Sequence, residues 1–226
     1  MKPLFLLSAL LLSPAFSHSA LASCLDNFND RLTQAPEFYQ KQQLLLSQGE
    51  NDMECLFKEA SAKIDASFFL DESHIQHNQV QKFLAVSSFS VGRKYEKHFF
   101  RLTKEPSGAD IYGYTVLPDA KINKTSPGLF KLVETKNADG KSSSVSIDYR
   151  LNFENTFKLT SNTTQMKKID GFQMASIKNS RGNLLFHDLV DTFHSINDEI
   201  AVGKAERVVP GKKNKFFCYF LILKKE

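Results

Sequence analysis

The sequence predicts an α+β protein. An N-terminal helical segment is followed by a mostly antiparallel, barrel-like or strongly curved sheet, with one amphipathic helix before the last two strands. Three observations carry this prediction. Apolar residues recur at three- and four-residue intervals only up to about Phe69. Beyond Asp71, short strand-like runs alternate with Gly- and Pro-containing turns. Near the end, the stretch HDLVDTFHSIND, His187 to Asp198, breaks the strand alternation.

The first element is not part of the expected fold. Lys2 precedes the apolar run Leu4 to Leu12, which ends before Pro14 and a small, polar stretch. That pattern reads as a signal peptide over residues 1–22. The run is about half the roughly twenty residues a bilayer-spanning helix needs, so no transmembrane segment is expected. Ala20-Leu21-Ala22 places the cut before Ser23, whereas Leu21-Ala22-Ser23-Cys24 also fits a lipobox with a lipidated Cys24. Pro14, Ser17, His18 and Ser19 separate the apolar run from the cut, which favours ordinary cleavage. The expected location is periplasmic or secreted, the alternative an outer-membrane lipoprotein attached only through Cys24. Removing residues 1–22 leaves 204 residues with a net charge of +3, the size of one folded unit.

The helical segment is expected over residues 23–70. Pro36 fits a first helical position, Gly49 a stop, and Asn51 with Glu54 a capping box. Met53, Leu56, Phe57, Ala60 and Ile64 share one helix face. Of the three cysteines, Cys24 and Cys55 bracket this segment and are the expected disulfide in an oxidising compartment. Cys218 lies within KFFCYFLIL, where a thiol behaves as a small buried hydrophobe. Lipidation of Cys24 would leave Cys55 and Cys218 as the pair.

The β domain is expected over 71–226. Strand-like runs begin near Val80, Lys97, Ile111, Gly128, Ser142, Asn155, Phe172, Glu199 and Asn214, separated by turn signals such as Pro127-Gly128, Asp139-Gly140 and Pro210-Gly211. Eight or nine short sequential strands argue a closed barrel or a sandwich, and a barrel removes exposed edges. The meander, with Gly203-Lys204-Ala205 feeding an aromatic closing strand, resembles lipocalin-like small barrels in shape. The Gly-x-Trp signature of that family cannot occur in a chain without Trp, and no binding residue is carried over. Eighteen of the twenty phenylalanines follow residue 22. They either fill the core or line a space for one small ligand.

Catalytic motifs are absent from the sequence: there is no GxSxG, HExxH, GxxxxGKS, GxGxxG or CxxC. This argues against an enzyme, and no cofactor is implied. His74 and His77 stand three apart without further ligand-type neighbours. Read as a helix, the stretch around His187 gathers Leu185, Leu189, Phe193, Ile196 and Ile200 in a stripe about 80° wide. His187, Asp191, His194 and Asp198 fall opposite, a candidate metal or acid–base set on a face expected to meet water. Lys167-Lys168, Lys212-Lys213-Lys215 and Lys224-Lys225 are weak basic clusters that read as solvated surface, not a nucleic-acid site. Asn123 and Asn162 begin glycosylation sequons that matter only in a eukaryotic host.

Three functional expectations follow. The first is an exported binding protein holding a small apolar or amphipathic ligand in the barrel. The second is an exported module, of inhibitor or immunity type, that engages an envelope protein. The third is a metal-dependent hydrolase using the His187/Asp191/His194 face.

Overall fold

A computed structural model describes residues 23–76, 79–89, 93–101, 110–118, 128–136, 142–150, 186 and 188–225. The expected leader over residues 1–22, both sequons, Lys167-Lys168, His77, His187 and the strand-like runs near 155–162 and 172–179 lie outside them.

Helices α1 (Cys24–Thr33), α2 (Phe38–Ser47) and α3 (Glu50–Glu59) come first, followed by the short α4 (Ala66–Phe69) and α5 (Glu72–Gln76). Local signals set their ends. The Ser23 hydroxyl accepts from the Asp26 amide at 3.0 Å at the start of α1. Asp52 accepts from the Gly49 amide at 2.8 Å. Gly49 is therefore the cap of α3 and not only the stop of α2, and Asn51 and Glu54 lie inside α3. Glu54 instead pairs with Lys58 one turn on, at 2.7 Å. Pro36 sits just ahead of α2, whose cap is Glu37. A disulfide joins Cys24 to Cys55 and ties α1 to α3, using the Sγ that lipidation would need. Cys218 is a buried free thiol.

Strands β1 (Gln81–Ser87), β2 (Lys94–Arg101), β3 (Ile111–Val116), β4 (Gly128–Lys136), β5 (Ser142–Asp148), β6 (Leu189–Ser195), β7 (Ile200–Arg207) and β8 (Lys215–Lys224) form a closed antiparallel barrel. Each strand pairs with its sequence neighbour, and β8 closes on β1 with Ala85 opposite Ile222. Among the described strands, closure leaves no edge to cover.

The expected amphipathic helix before the last two strands is instead β6. Positions four apart, such as Leu189 and Phe193, share a face in a strand as well as in a helix, so their spacing did not separate the two. Asp188 enters β6 with φ 59°, a left-handed conformation Asp tolerates.

Strand alternation divides the apolar residues into two layers. Outside, α1–α3 pack Phe28, Leu45, Met53 and Leu56 onto Leu84, Val86, Val202, Leu221 and Leu223 of β1, β7 and β8. Inside lie Phe83, Phe99, Phe130, Phe193, Phe220 and Ile222, with Phe69 of α4 inserted among them. The Phe69 ring meets Phe193 at 4.9 Å and Phe99 at 5.1 Å, so α4 closes one end of the barrel.

Candidate functional site

The barrel interior is not wholly apolar. Along β2, inward positions read Tyr95, Lys97, Phe99 and Arg101, while Glu96, His98 and Phe100 point outward. Asp191 of β6 points inward between Leu189 and Phe193, opposite Ile147 of β5 and Ala205 of β7. The two charges meet: Lys97 Nζ donates to Asp191 Oδ2 at 2.9 Å. Lys97 also donates to the Tyr149 hydroxyl, which in turn lies 3.2 Å from Asp191 Oδ2 and 3.3 Å from Thr115 Oγ1. Lys97 is 1% exposed and Asp191 3%.

Rings surround the ammonium. Its Nζ lies 5.0 Å from the ring centre of Phe220, 5.1 Å from Tyr149, 5.3 Å from Phe130 and 5.7 Å from Tyr95. Such contacts stabilise a desolvated cation by roughly 2 kcal/mol or more. Two glycines make room for these rings. A Cβ on Gly203 would come within 2.2 Å of Phe220, and one on Gly113 within 2.2 Å of Phe130. In each case the far end of the ring reaches over the glycine of the neighbouring strand, where only hydrogen is small enough.

Burial governs the protonation of this centre. It pushes the Asp191 carboxyl above its ordinary range, an effect the Lys97 charge and the hydrogen bonds from Lys97 and Tyr149 oppose without cancelling. Burial, and then the charge of Asp191, pushes the Tyr149 hydroxyl well above its usual value. Cys218, inward on β8, is pushed up to about 12 by burial first and Asp191 second. A thiol held that high is a poor nucleophile at neutral pH. The centre therefore offers fixed hydrogen-bond directions and a buried charge pair, not an activated nucleophile.

Two of the sequence-derived candidates, Asp191 and His194, do not come together. Strand alternation puts Asp191 inside the barrel and His194 outside, so they do not share the face a helix would have given them. His194 stacks on Phe57 of α3 with ring centres 4.0 Å apart and donates to the Phe57 carbonyl at 2.6 Å. It holds a helix against the barrel. His74 of α5 is bound at 2.7 Å to Asp71, the residue just ahead of that helix, and that contact holds the Asp71 carboxyl well below the usual range. Among the described residues, one group of three ligand-type side chains comes together, Cys24, Cys55 and Glu59, and its two sulfurs are bonded to each other.

Lys97, Tyr149 and Thr115 carried no motif in the sequence. Their signal was a lysine set between aromatics at the inward period of a strand, legible only once the register is known. No protein family, curated protein or solved structure matches this chain.

Proposed function

We propose that this chain is an exported binding protein whose barrel takes up a small amphipathic ligand and orients its polar head at the Lys97–Asp191–Tyr149 centre. Residues 1–22 act as its signal peptide, and residues 23–226 fold as one unit. The observation that carries this reading is a buried charge pair inside a phenylalanine-lined barrel. Such a pair is commonly no more stabilising than apolar residues of the same volume, so stability alone gives little reason to keep it. Mostly aromatic walls with a few placed polar groups are the usual make-up of a small-molecule site. The Cys24–Cys55 bond supports an oxidising compartment.

The head group that fits is a carboxylate. An ammonium has three donors, and two on Lys97 are engaged by Tyr149 and Asp191. Two carboxylates cannot both ionise beside one buried ammonium, and Asp191, already shifted upward by burial, is the one to take up a proton. Binding of an acid is then coupled to uptake of one proton by the centre, so it rises as pH falls until the ligand carboxylate is itself protonated.

The test is fluorescence titration with a dansylated undecanoic acid and with the matching alcohol. The acid is expected to bind at least about tenfold tighter, the worth of one charge-assisted hydrogen bond. The apolar double variant Lys97→Met/Asp191→Leu, which keeps the branching of both side chains, is expected to fold and to lose that preference. Absence of binding to either probe, or an unchanged preference in the double variant, would overturn the reading.

A further inference from the structure

The hairpin joining β7 to β8 carries features unrelated to the barrel interior. Residues 210–217, Pro-Gly-Lys-Lys-Asn-Lys-Phe-Phe, are all exposed. The register explains why two consecutive phenylalanines face outward. Ala205 pairs with Cys218, but Glu206 pairs with Phe216, so Phe217 is the extra residue of a β-bulge. Regular alternation would have turned one of the two rings inward.

Phe89, from the end of β1, completes the patch by stacking on Phe217 with ring centres 5.5 Å apart. Phe89, Phe216 and Phe217 remain 45%, 44% and 37% exposed. The patch is rimmed by cations. Lys212, Lys213 and Lys215 lie in the same exposed run, and Arg207 stands 5.9 Å from the Phe217 ring. The carboxylate beside Phe216, Glu206, is held by Lys204 at 2.8 Å and lies on the barrel side of the hairpin.

Clustered exposed rings beside a run of lysines suit one kind of surface. Aromatic rings settle at the boundary between lipid head groups and acyl chains, and lysines gain by approaching anionic head groups. An anionic lipid surface supplies counter-charges to every lysine of the run at once, with no need for a matching acidic patch on a partner. We propose that the β7–β8 hairpin, with Phe89, docks this protein on an anionic lipid surface. This surface shares no residue with the interior centre and does not depend on a ligand bound there.

The experiment is co-sedimentation of the purified, disulfide-bonded protein with vesicles of phosphatidylcholine alone or with one quarter phosphatidylglycerol. Partitioning is expected to be at least about tenfold stronger onto the anionic vesicles and to weaken as salt approaches about 0.5 M. Lys212→Gln/Lys213→Gln/Lys215→Gln is expected to reduce it about tenfold or more, and Phe89→Ser/Phe216→Ser/Phe217→Ser to a similar degree. Both variants should keep the wild-type melting temperature and the affinity for the dansylated acid, since every changed side chain is exposed. Equal partitioning onto both vesicle types, or hairpin variants that bind like wild type, would overturn the proposal. So would the absence of vesicle binding together with self-association or protein capture that the same variants abolish.

Discussion

Lys97 Nζ lies 2.9 Å from Asp191 Oδ2, although the two residues are 94 positions apart and sit on strands separated by the barrel interior. Among the described residues, the pair forms a buried ion pair inside a barrel lined by Phe69, Phe83, Phe99, Phe130, Phe193 and Phe220. It ties β2 to β6, and Tyr149 after β5 bonds to both partners. Removing one partner leaves a buried charge, while removing both leaves no charge at the centre and keeps the Tyr149 and Thr115 hydroxyls within reach of each other.

This asymmetry is measurable. Asp191→Ala is expected to destabilise the fold by about 3–5 kcal/mol, because Lys97 stays desolvated without its carboxylate. Lys97→Met/Asp191→Leu is expected to lie within about 1–2 kcal/mol of wild type or above it. Urea unfolding of the three proteins checks the difference. Equal losses for the single and double variants would show that packing, not charge, dominates the site.

Gly203 and Gly113 are expected to resist substitution more than ordinary interior positions. A Cβ on Gly203 would sit 2.2 Å from the Phe220 ring, so Gly203→Ala must displace that ring from its packing, at a cost of about 1–3 kcal/mol or more. Gly203→Ala/Phe220→Leu is expected to recover part of the loss relative to Phe220→Leu alone. A double-mutant cycle on thermal unfolding measures the coupling.

The two kinds of cysteine should separate by chemistry. The Cys24–Cys55 bond spans 31 positions, and Cys24→Ser/Cys55→Ser is expected to cost about 3–4 kcal/mol. The Cys218 thiol, pushed up to about 12, should resist alkylation at pH 8 until the protein is unfolded. Mass spectrometry of iodoacetamide-treated native and urea-unfolded protein reads this directly. Rapid native labelling at Cys218 would count against a dry interior.

Acid stability should depend on Glu96. Burial pushes its carboxyl upward, but Lys225 and His98, bonded at 2.8 Å and 2.7 Å, more than offset this and leave it below its ordinary value of 4.5. A carboxylate with a depressed folded-state value contributes stability above the unfolded value and loses it as pH falls through the folded one. The gap in urea midpoint between wild type and Glu96→Gln is therefore expected to be widest near neutral pH and to close at a pH below 4.5. A gap that stays constant with pH would remove the charge of Glu96 from the account.

Much of the architecture is readable along the chain because it is local. Three- and four-residue spacing over Met53, Leu56 and Phe57 places a helix face, although Ala60 and Ile64 of the same spacing fall after the end of α3 at Glu59 and Ile64 packs into the barrel interior. The alternation of Phe83 and Ala85 with Leu84 and Val86 is compatible with a strand covered on both sides. The cap of α3 lies two residues ahead of the Asn51–Glu54 pattern, because Gly49 opens that helix directly after the Gln48 cap of α2 and has no side chain to signal it. Leu189, Asp191 and Phe193 misled for a deeper reason. An inward Asp breaks the apolar period of a strand, and its compensation comes from Lys97 on another strand.

What the sequence determined by itself is therefore the helical start, the succession of short strands with their turns, and the aromatic wealth of the later chain. Each rests on interactions within a few residues. Tertiary structure alone decided that β8 closes on β1, that β6 is a strand, and that Asp191 and His194 face opposite sides of the wall. It also brought Lys97 and Asp191 together. Those outcomes rest on contacts between residues tens of positions apart, and a buried charge becomes tolerable only when its distant partner arrives.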